Sequence, residues 1–335
     1  VRVAVIGAGV VGLSAVAGLL DRGAEVTCFE RADTGMTERS AGSSRIFRLA
    51  HTDPELVRLA DLARDGFCRW AERAGAPLIS GVGCVISGED MTDRAAAMHA
   101  AGATYRIVEG EVARLPARRP PDQVLVDPVG GVIDVDAVRR LLVDGAGSAL
   151  VRGVVYGLDD GPTGATVHAS TGTGRFDAVL IAAGAGTPPL AAHVGIYAPT
   201  ALSHHVRFAF PLQPGPERPC WIDGPPGEPG TYQHQTGPGL WSVGGHVDPA
   251  ATAWELGREA AGEASQDAAL AYVRERLTVE PRIVETLYCT HTPDLGDGIH
   301  LRRSEGVVHA VYGENLFKFA PVLESMLAEA LLGDS

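Results

Sequence analysis

The sequence predicts an α/β protein: a nucleotide-binding domain of parallel sheet and helices, assembled from separated segments, with a second domain inserted. Three observations predict it. A short β-branched run leads at once into Gly7-Ala-Gly9-Val-Val-Gly12 and then a helical stretch. Strand and helix patterns alternate at the start, in the middle and at the end of the chain. Between them, residues 199–246 are strand-like, rich in Pro and Gly, and carry scattered aromatic residues.

Each element has a local reason. Residues 1–6 are apolar and β-branched, as in a buried parallel strand. Residues 13–22 carry Ala and Leu at helical spacing, Gly23 ends that helix, and 25–30 form a second strand. Residues 31–44 are polar and read as a long loop. Leu56, Leu59, Ala60, Leu62, Ala63, Phe67 and Trp70 give 54–74 a helical stripe. Residues 77–87 read as a strand pair, 91–101 as a helix and 105–109 as a strand. A turn with strand edges at 127–134 precedes a helix at 135–146. Strands are expected at 150–158, 165–170 and 176–182, the last ended by Ala183-Gly184-Ala185-Gly186. Residues 250–276 read as mainly helical, 283–290 and 307–311 as strands, and 321–332 as a closing helix.

Bulk properties narrow the function. The 335 residues suggest two domains at about 150 residues each. A hydrophobic share of 45% excludes general disorder. A formal charge of −13 argues against nucleic acid or an anionic membrane as partner. Five cysteines, Cys28, Cys68, Cys84, Cys220 and Cys289, form no CxxC pair, so no metal site or disulfide framework is expected. The apolar stretch 10–20 is too short to span a bilayer, and a cytoplasmic protein is expected. Of 28 basic residues only one is a lysine, Lys318.

The glycine motif has a mechanical purpose. Gly7 permits a tight turn, Gly9 lets backbone approach a pyrophosphate, and Gly12 lets the helix pack close to the sheet. The helix N-terminus supplies N–H groups and positive dipole to phosphate. Glu30, at the end of the second strand, suits a ribose diol. This order indicates an ADP-containing dinucleotide and leaves FAD and NAD open. Farther on, Arg45 and Arg48 stand three apart, in what reads as a loop-to-helix region. Guanidinium forks there suit a carboxylate. Lys318 sits between Phe317 and Phe319, an unusual setting for a solvated lysine.

These pieces resemble the FAD-dependent D-amino-acid oxidase superfamily, and within it the monomeric sarcosine oxidase-like amine and imino-acid oxidases. The resemblance spans nearly the whole chain. Its signals are the fingerprint from Val3 to Glu30, Ser43-Ser-Arg45-Ile-Phe-Arg48, Gly130-Gly-Val-Ile-Asp134, Asp177-Ala-Val-Leu-Ile-Ala-Ala-Gly184, and Thr292-Pro-Asp294 followed by Glu314-Asn-Leu-Phe-Lys318-Phe. It implies a Rossmann-like FAD-binding domain from about 1–80, 130–200 and 285–335. An inserted mixed β-sheet substrate domain would come from about 81–129 and 201–284. It implies FAD contacts at Gly7, Gly9, Gly12, Glu30, Arg31, Ser43, Ser44, Arg45, Ala183, Gly184, Gly313, Asn315, Leu316, Phe317 and Lys318. Arg45 would lie over the flavin, while Arg48 and Lys318 would hold a substrate carboxylate. His246 would contact substrate, and Tyr232 and Trp241 would line the pocket. Alternation places only one of His204 and His205 inward, and neither receives a role.

The chain departs from that family in three places. Covalent members carry a cysteine six residues before the proline; here that position is Leu287, and Cys289 is four before Pro293. Non-covalent FAD is expected, with a link through Cys289 as the alternative. The oxygen-activating lysine is absent, since Trp241 and Ser242 occupy its region. The acceptor is therefore O2 or another molecule. Glycines that often precede the C-terminal lysine are replaced by Glu314, Asn315 and Leu316. The expected function is hydride transfer to FAD from the C–N bond of a small carboxylate-bearing amine or imine. The alternatives are a flavin-dependent 2-hydroxy-acid dehydrogenase and an NAD(P)-dependent dehydrogenase that uses only the N-terminal fingerprint.

Overall fold

The computed structural model describes residues 1–293 and 295–333, with Val112 described by its backbone alone. Asp294 of the Thr-Pro-Asp motif lies outside the described residues.

Two large sheets organise the chain. The first has six strands in the order Gly298–Arg303, Val308–Glu314, Ala178–Ile181, Arg2–Ile6, Glu25–Glu30 and Leu150–Arg152. All pairings are parallel except that of Gly298–Arg303 with its neighbour. The central strand Arg2–Ile6 is buried at Val3, Ala4, Val5 and Ile6, as its unbroken apolar run requires. One face packs on helices Val10–Asp21, Val135–Ala146 and Ala320–Leu332, through Leu13, Leu19, Val138, Leu323 and Leu327. The other face lies under a three-stranded sheet that contributes Val167 and Phe176.

The second sheet has eight strands: Glu285–His291, Ser203–Pro211, Leu240–Gly245, Thr231–Gly237, Cys220–Gly224, Cys84–Gly88, Gln123–Asp127 and Arg106–Glu109. Opposed residues share a face. One row runs Leu287, Arg207, Gly244, Tyr232, Ile222, Ile86. The opposite face carries Val206, Phe208, Phe210, Trp221, Trp241 and Val243, which pack on Tyr272 and Val273 of helix Gly257–Arg276.

Several elements differ from the sequence expectation. Residues 44–47 form a strand, with Arg48 directly after it, not a loop-to-helix region: Ser44–Phe47 pairs antiparallel with Gly131–Asp134. The β-formers Ile46 and Phe47 find partners in Val132 and Gly131. The expected strand 150–158 splits at Gly153 into Leu150–Arg152 and Val155–Asp159, which join different sheets. Residues 77–87 yield one strand, Cys84–Gly88, while Ile79 makes only an isolated bridge to Ile133. Strands Gln123–Asp127, Gly172–Phe176 and Gly298–Arg303 escaped the pattern; Gly-Thr-Gly and His-Leu-Arg-Arg dilute the apolar alternation in the last two. Strand Glu285–His291 hydrogen-bonds within the eight-stranded sheet, so the chain rejoins the six-stranded sheet only at Gly298.

Candidate active site

Three turns meet at the carboxyl ends of the central parallel strands, where open α/β sheets bind ligands. The first is 7–12. Gly7 has φ +101°, and a Cβ on it would lie 2.6 Å from Ala182 O. A Cβ on Gly12 would lie 1.9 Å from Gly7 O, so only glycine lets the helix start there. Gly9 is different: the nearest atom to an added Cβ is Ser40 Oγ at 3.4 Å. That open backbone suits the approach of a phosphate. Val10 N donates to Ser40 Oγ at 3.0 Å, and the next first-turn amides have no intrahelical partner. Glu30 accepts from Ala8 N at 2.8 Å and Ala32 N at 3.0 Å, which locks the carboxylate beside the turn. The second turn is Ala183 and Gly184, with Ala183 Cα 2.8 Å from the Cβ that Gly7 lacks. The third is the 3-10 turn Leu316–Phe319, entered through Asn315 at φ +55°.

Arg45 and Arg48 face different surroundings. In extended chain, residues three apart point to opposite sides. Arg45 donates to Ser44 O at 2.8 Å, to Arg39 O at 3.0 Å and to Ala41 O, and lies 5.8 Å from the Phe317 ring centroid. Burial, with Arg207 nearby, pulls its guanidinium down to about 10, so it stays charged at neutral pH. Arg207 is also buried and donates to Ser44 O at 3.1 Å. Among the described residues, neither Arg45 nor Arg207 is paired with a carboxylate; their recorded partners are carbonyls, a hydroxyl and His234. His205 and Tyr232 complete this wall, with His205 Nε2 2.5 Å from Tyr232 Oη. Burial pushes His205 down to about 4 and the Tyr232 phenol up, so both are neutral. Tyr232 lies flat because Gly244 has no side chain; a Cβ there would be 2.2 Å from the ring.

Arg48 and Lys318 converge on one oxygen. Asp297 Oδ2 is 3.3 Å from Arg48 Nη2, 3.3 Å from Lys318 Nζ and 3.1 Å from His51 Nδ1. Asn315 Nδ2 donates to the other oxygen. Lys318 Nζ is also 3.4 Å from His51 Nε2. An ammonium only donates, so His51 accepts at Nε2 and carries its proton at Nδ1. Burial, then Lys318 and Arg48, push His51 down to about 2, which keeps it neutral. Burial acts to raise the Asp297 carboxyl, but His51, Lys318 and Arg48 together hold it well below the usual carboxylate range. Burial, then Arg48, bring Lys318 down to about 7 despite Asp297. One anion does not satisfy two buried cations. Arg94, a further cation that acts on Lys318, is engaged with Asp90. Arg48 Nη1 also donates to Ala50 O, and fully buried Asp127 fixes that backbone by accepting from Leu49 N at 2.5 Å and Ala50 N at 3.4 Å.

Residues 2–330 match the family described as FAD dependent oxidoreductase. The chain belongs to that family. Solved structures share the fold. NikD, described as an unusual amino acid oxidase essential for nikkomycin biosynthesis, is 23% identical with a TM-score of 0.83, covering 99% of this chain and 94% of that one. L-proline dehydrogenase from P. horikoshii is 19% identical, TM-score 0.75, covering 98% and 92%. Glycine oxidase from Geobacillus kaustophilus is 16% identical, TM-score 0.76, covering 99% and 95%. No curated protein matches the chain in sequence. The family decides the cofactor as FAD, and the NAD(P) alternative falls. The glycine turns, the free first-turn amides and Glu30 fit its ADP portion.

The remaining expected FAD-site residues divide. Gly313 packs on the antiparallel edge strand, where a Cβ would lie 2.1 Å from Gly298 O. Phe317 is buried against Arg45, and Leu316 is half-buried. Ser44 is buried under Arg207, whereas Ser43 is exposed and offers its carbonyl to Val135 N at 3.0 Å. Arg31 is exposed and pairs with Glu38 at 2.8 Å. Cys289 opposes His205 in register and shares the face of Leu287 and His291. Leu287 itself fills the space beside Gly42 and Arg45. Burial pushes the Cys289 thiol up, though Arg45, Arg39 and Arg207 oppose that.

Two residues are not brought to this site. His246, at φ +59°, donates from Nδ1 to Pro229 O at 3.0 Å and lies 4.7 Å from the Tyr272 ring, against helix Gly257–Arg276. Trp241 points to that same helix side and donates to Gln233 Oε1 at 2.9 Å. Trp241 is odd-numbered on a strand whose even positions, such as Gly244, face the site, whereas His246 shares their parity and is turned away by the left-handed backbone at Gly245 and His246. His51, His205, Arg207, His234 and Asp297 were missed. Only the alternation at 204–205 gave a sign of any of them. Glu314, noted only as a departure, pairs with Arg39 and His291 and accepts from Thr292 N at 2.7 Å.

Proposed function

We propose that this FAD-dependent oxidoreductase oxidises the C–N bond of a small amino or cyclic imino acid, with Arg48 and Lys318 receiving the substrate carboxylate. The observation that carries the reading is the convergence of both cations on a single carboxylate oxygen at Asp297. When bound, FAD supplies the two-electron acceptor that turns a C–N single bond into an imine. The chain's own groups then have distinct tasks. Gly7, Gly9, Gly12 and Glu30 hold the ADP portion, with Ala183 and Gly184 alongside. Arg45, Phe317 and the neighbouring turn bound the flavin region. Arg48 and Lys318 orient the substrate, and their charge favours a neutral, reactive amine beside them. Tyr232 and His205 wall the site. Amino-acid oxidation by NikD and glycine oxidase, and proline oxidation implied for L-proline dehydrogenase, support the substrate class.

FAD is held without a covalent bond in this reading, because Leu287 fills the usual position and burial keeps the Cys289 thiol protonated. The six-stranded sheet would form the FAD unit and the eight-stranded sheet the substrate unit. O2 or another acceptor reoxidises the cofactor. No described helix is long and apolar enough to cross a membrane, and all five cysteines are free, which fits a cytoplasmic setting. Anaerobic mixing with a panel of amino, imino and 2-hydroxy acids tests the proposal. Flavin bleaching by an amino or imino acid is expected. Bleaching by hydroxy acids alone would replace it with the hydroxy-acid reading.

A further inference from the structure

We infer that Asp297 is a displaceable internal carboxylate that closes the Arg48–Lys318 fork until a substrate carboxylate replaces it, and that it thereby sets which amines the site accepts. The inference rests on the reading of Arg48 and Lys318 as the substrate-carboxylate receptor.

The geometry is that of a ligand mimic. Asp297 is in ion-pair contact with both cations that would bind the substrate, through the same Oδ2. Its exposure is asymmetric. The Asp297 side chain is 18% exposed, whereas those of Arg48, His51 and Lys318 are 12%, 2% and 6% exposed. The anion lies outermost, over a buried floor of donors. Its backbone is bridged to Glu314 at the head of strand Gly298–Arg303, so displacement is a rotation of the Asp297 side chain on a stretch bounded by two glycines. Gly296 has φ +70° and Gly298 has φ +143°, and an added Cβ at either would meet nothing within 4 Å. These glycines are therefore needed for backbone conformation, not for packing room. Asn315, the fourth partner, is exposed and has φ +55°, and it holds the oxygen that the cations leave.

Specificity follows from the charges. Removing Asp297 from the fork leaves two buried cations without an anion, which is strongly unfavourable. An entering carboxylate restores the pairing. An amine without a carboxylate does not, so it meets a closed fork. The device discriminates by the cost of opening and not only by the quality of new contacts.

The test uses the FAD-loaded protein and benzoate, a carboxylate with no amine to oxidise, with benzamide as its uncharged counterpart. Binding is read from the flavin absorption spectrum and from the thermal melting midpoint. Benzoate is expected to bind the parent protein, and its Kd is expected to fall by about tenfold in Asp297→Asn and Asp297→Ala. Benzamide is expected to gain nothing. An unchanged or weaker benzoate Kd in both folded, FAD-bound variants overturns the inference, while Arg48→Ala losing benzoate would still uphold the receptor. If benzoate binds none of these proteins, the receptor reading fails and takes the inference with it.

Discussion

Arg45 and Arg48 are three residues apart and lead opposite electrostatic lives. Arg45 is answered by the carbonyls of its own loop and by the Phe317 ring, next to Arg207, which like it has no carboxylate partner among the described residues. Arg48 also donates to one carbonyl, Ala50 O, but its other arm is answered by a carboxylate that it shares with Lys318. Had this segment been helical, the two would have shared a face and one ligand. As extended chain paired with Gly131–Asp134, it sends them apart. The difference separates two tasks. One cation pair gives a fixed positive field that dipoles soften but do not cancel. The other has an anion that can be exchanged. The turn Leu316–Phe319 joins them, because Phe317 touches Arg45 and Lys318 touches Asp297.

The largest expected effect is at Arg48. Arg48→Ala should weaken benzoate or amino-acid binding by about 100-fold while FAD remains bound, because it removes one of the two cations and leaves Lys318 already satisfied by Asp297. Titration of the flavin spectrum measures this. Equal losses in Arg45→Ala would erase the contrast between the two arginines.

A smaller effect is expected from pH. The Lys318 ammonium has its pKa lowered to about 7 in the folded protein. Its charged form, which a carboxylate needs, is therefore present below about 7 and lost above it. Carboxylate affinity should fall as pH rises through 7, by about tenfold, and Lys318→Met should remove that step. The unfolded lysine keeps its proton up to its ordinary pKa of 10.5. Between about 7 and that value the unfolded chain binds more protons, so this group makes the fold more stable as pH rises. A melting series across that window reads the sign directly.

The smallest effect is expected at Cys289. Acid precipitation should leave a yellow supernatant, and Cys289→Ser should not change it. A yellow pellet in the parent protein, lost in Cys289→Ser, would show a covalent bond and give the face of His205 and Arg45 a different purpose.

The sequence showed one end of the site far better than the other. The dinucleotide end is contiguous: Gly7, Gly9, Gly12 and Glu30 lie within one strand–helix–strand unit, and their spacing states their geometry. The substrate end draws on residues from 44–51, 205–234, 289–297 and 314–318. Arg48 and Lys318 were legible there because each is chemically out of place in its local stretch. Asp297 was not, since Gly-Asp-Gly reads as an ordinary turn until its oxygen is seen between two cations. His51 and Arg207 look like common surface residues in sequence, and only burial gives them meaning. His246 failed for the converse reason. It follows the strand Leu240–Gly245, but the left-handed turn after Gly245 sends it to the helix side.

The most direct measurement is a crystal structure of the FAD-loaded protein with benzoate bound. The account predicts the benzoate carboxylate within hydrogen-bond reach of Arg48 and Lys318, with Asp297 turned out of the fork. Benzoate seated on Arg45 and Arg207, with Asp297 still on Arg48 and Lys318, would contradict it.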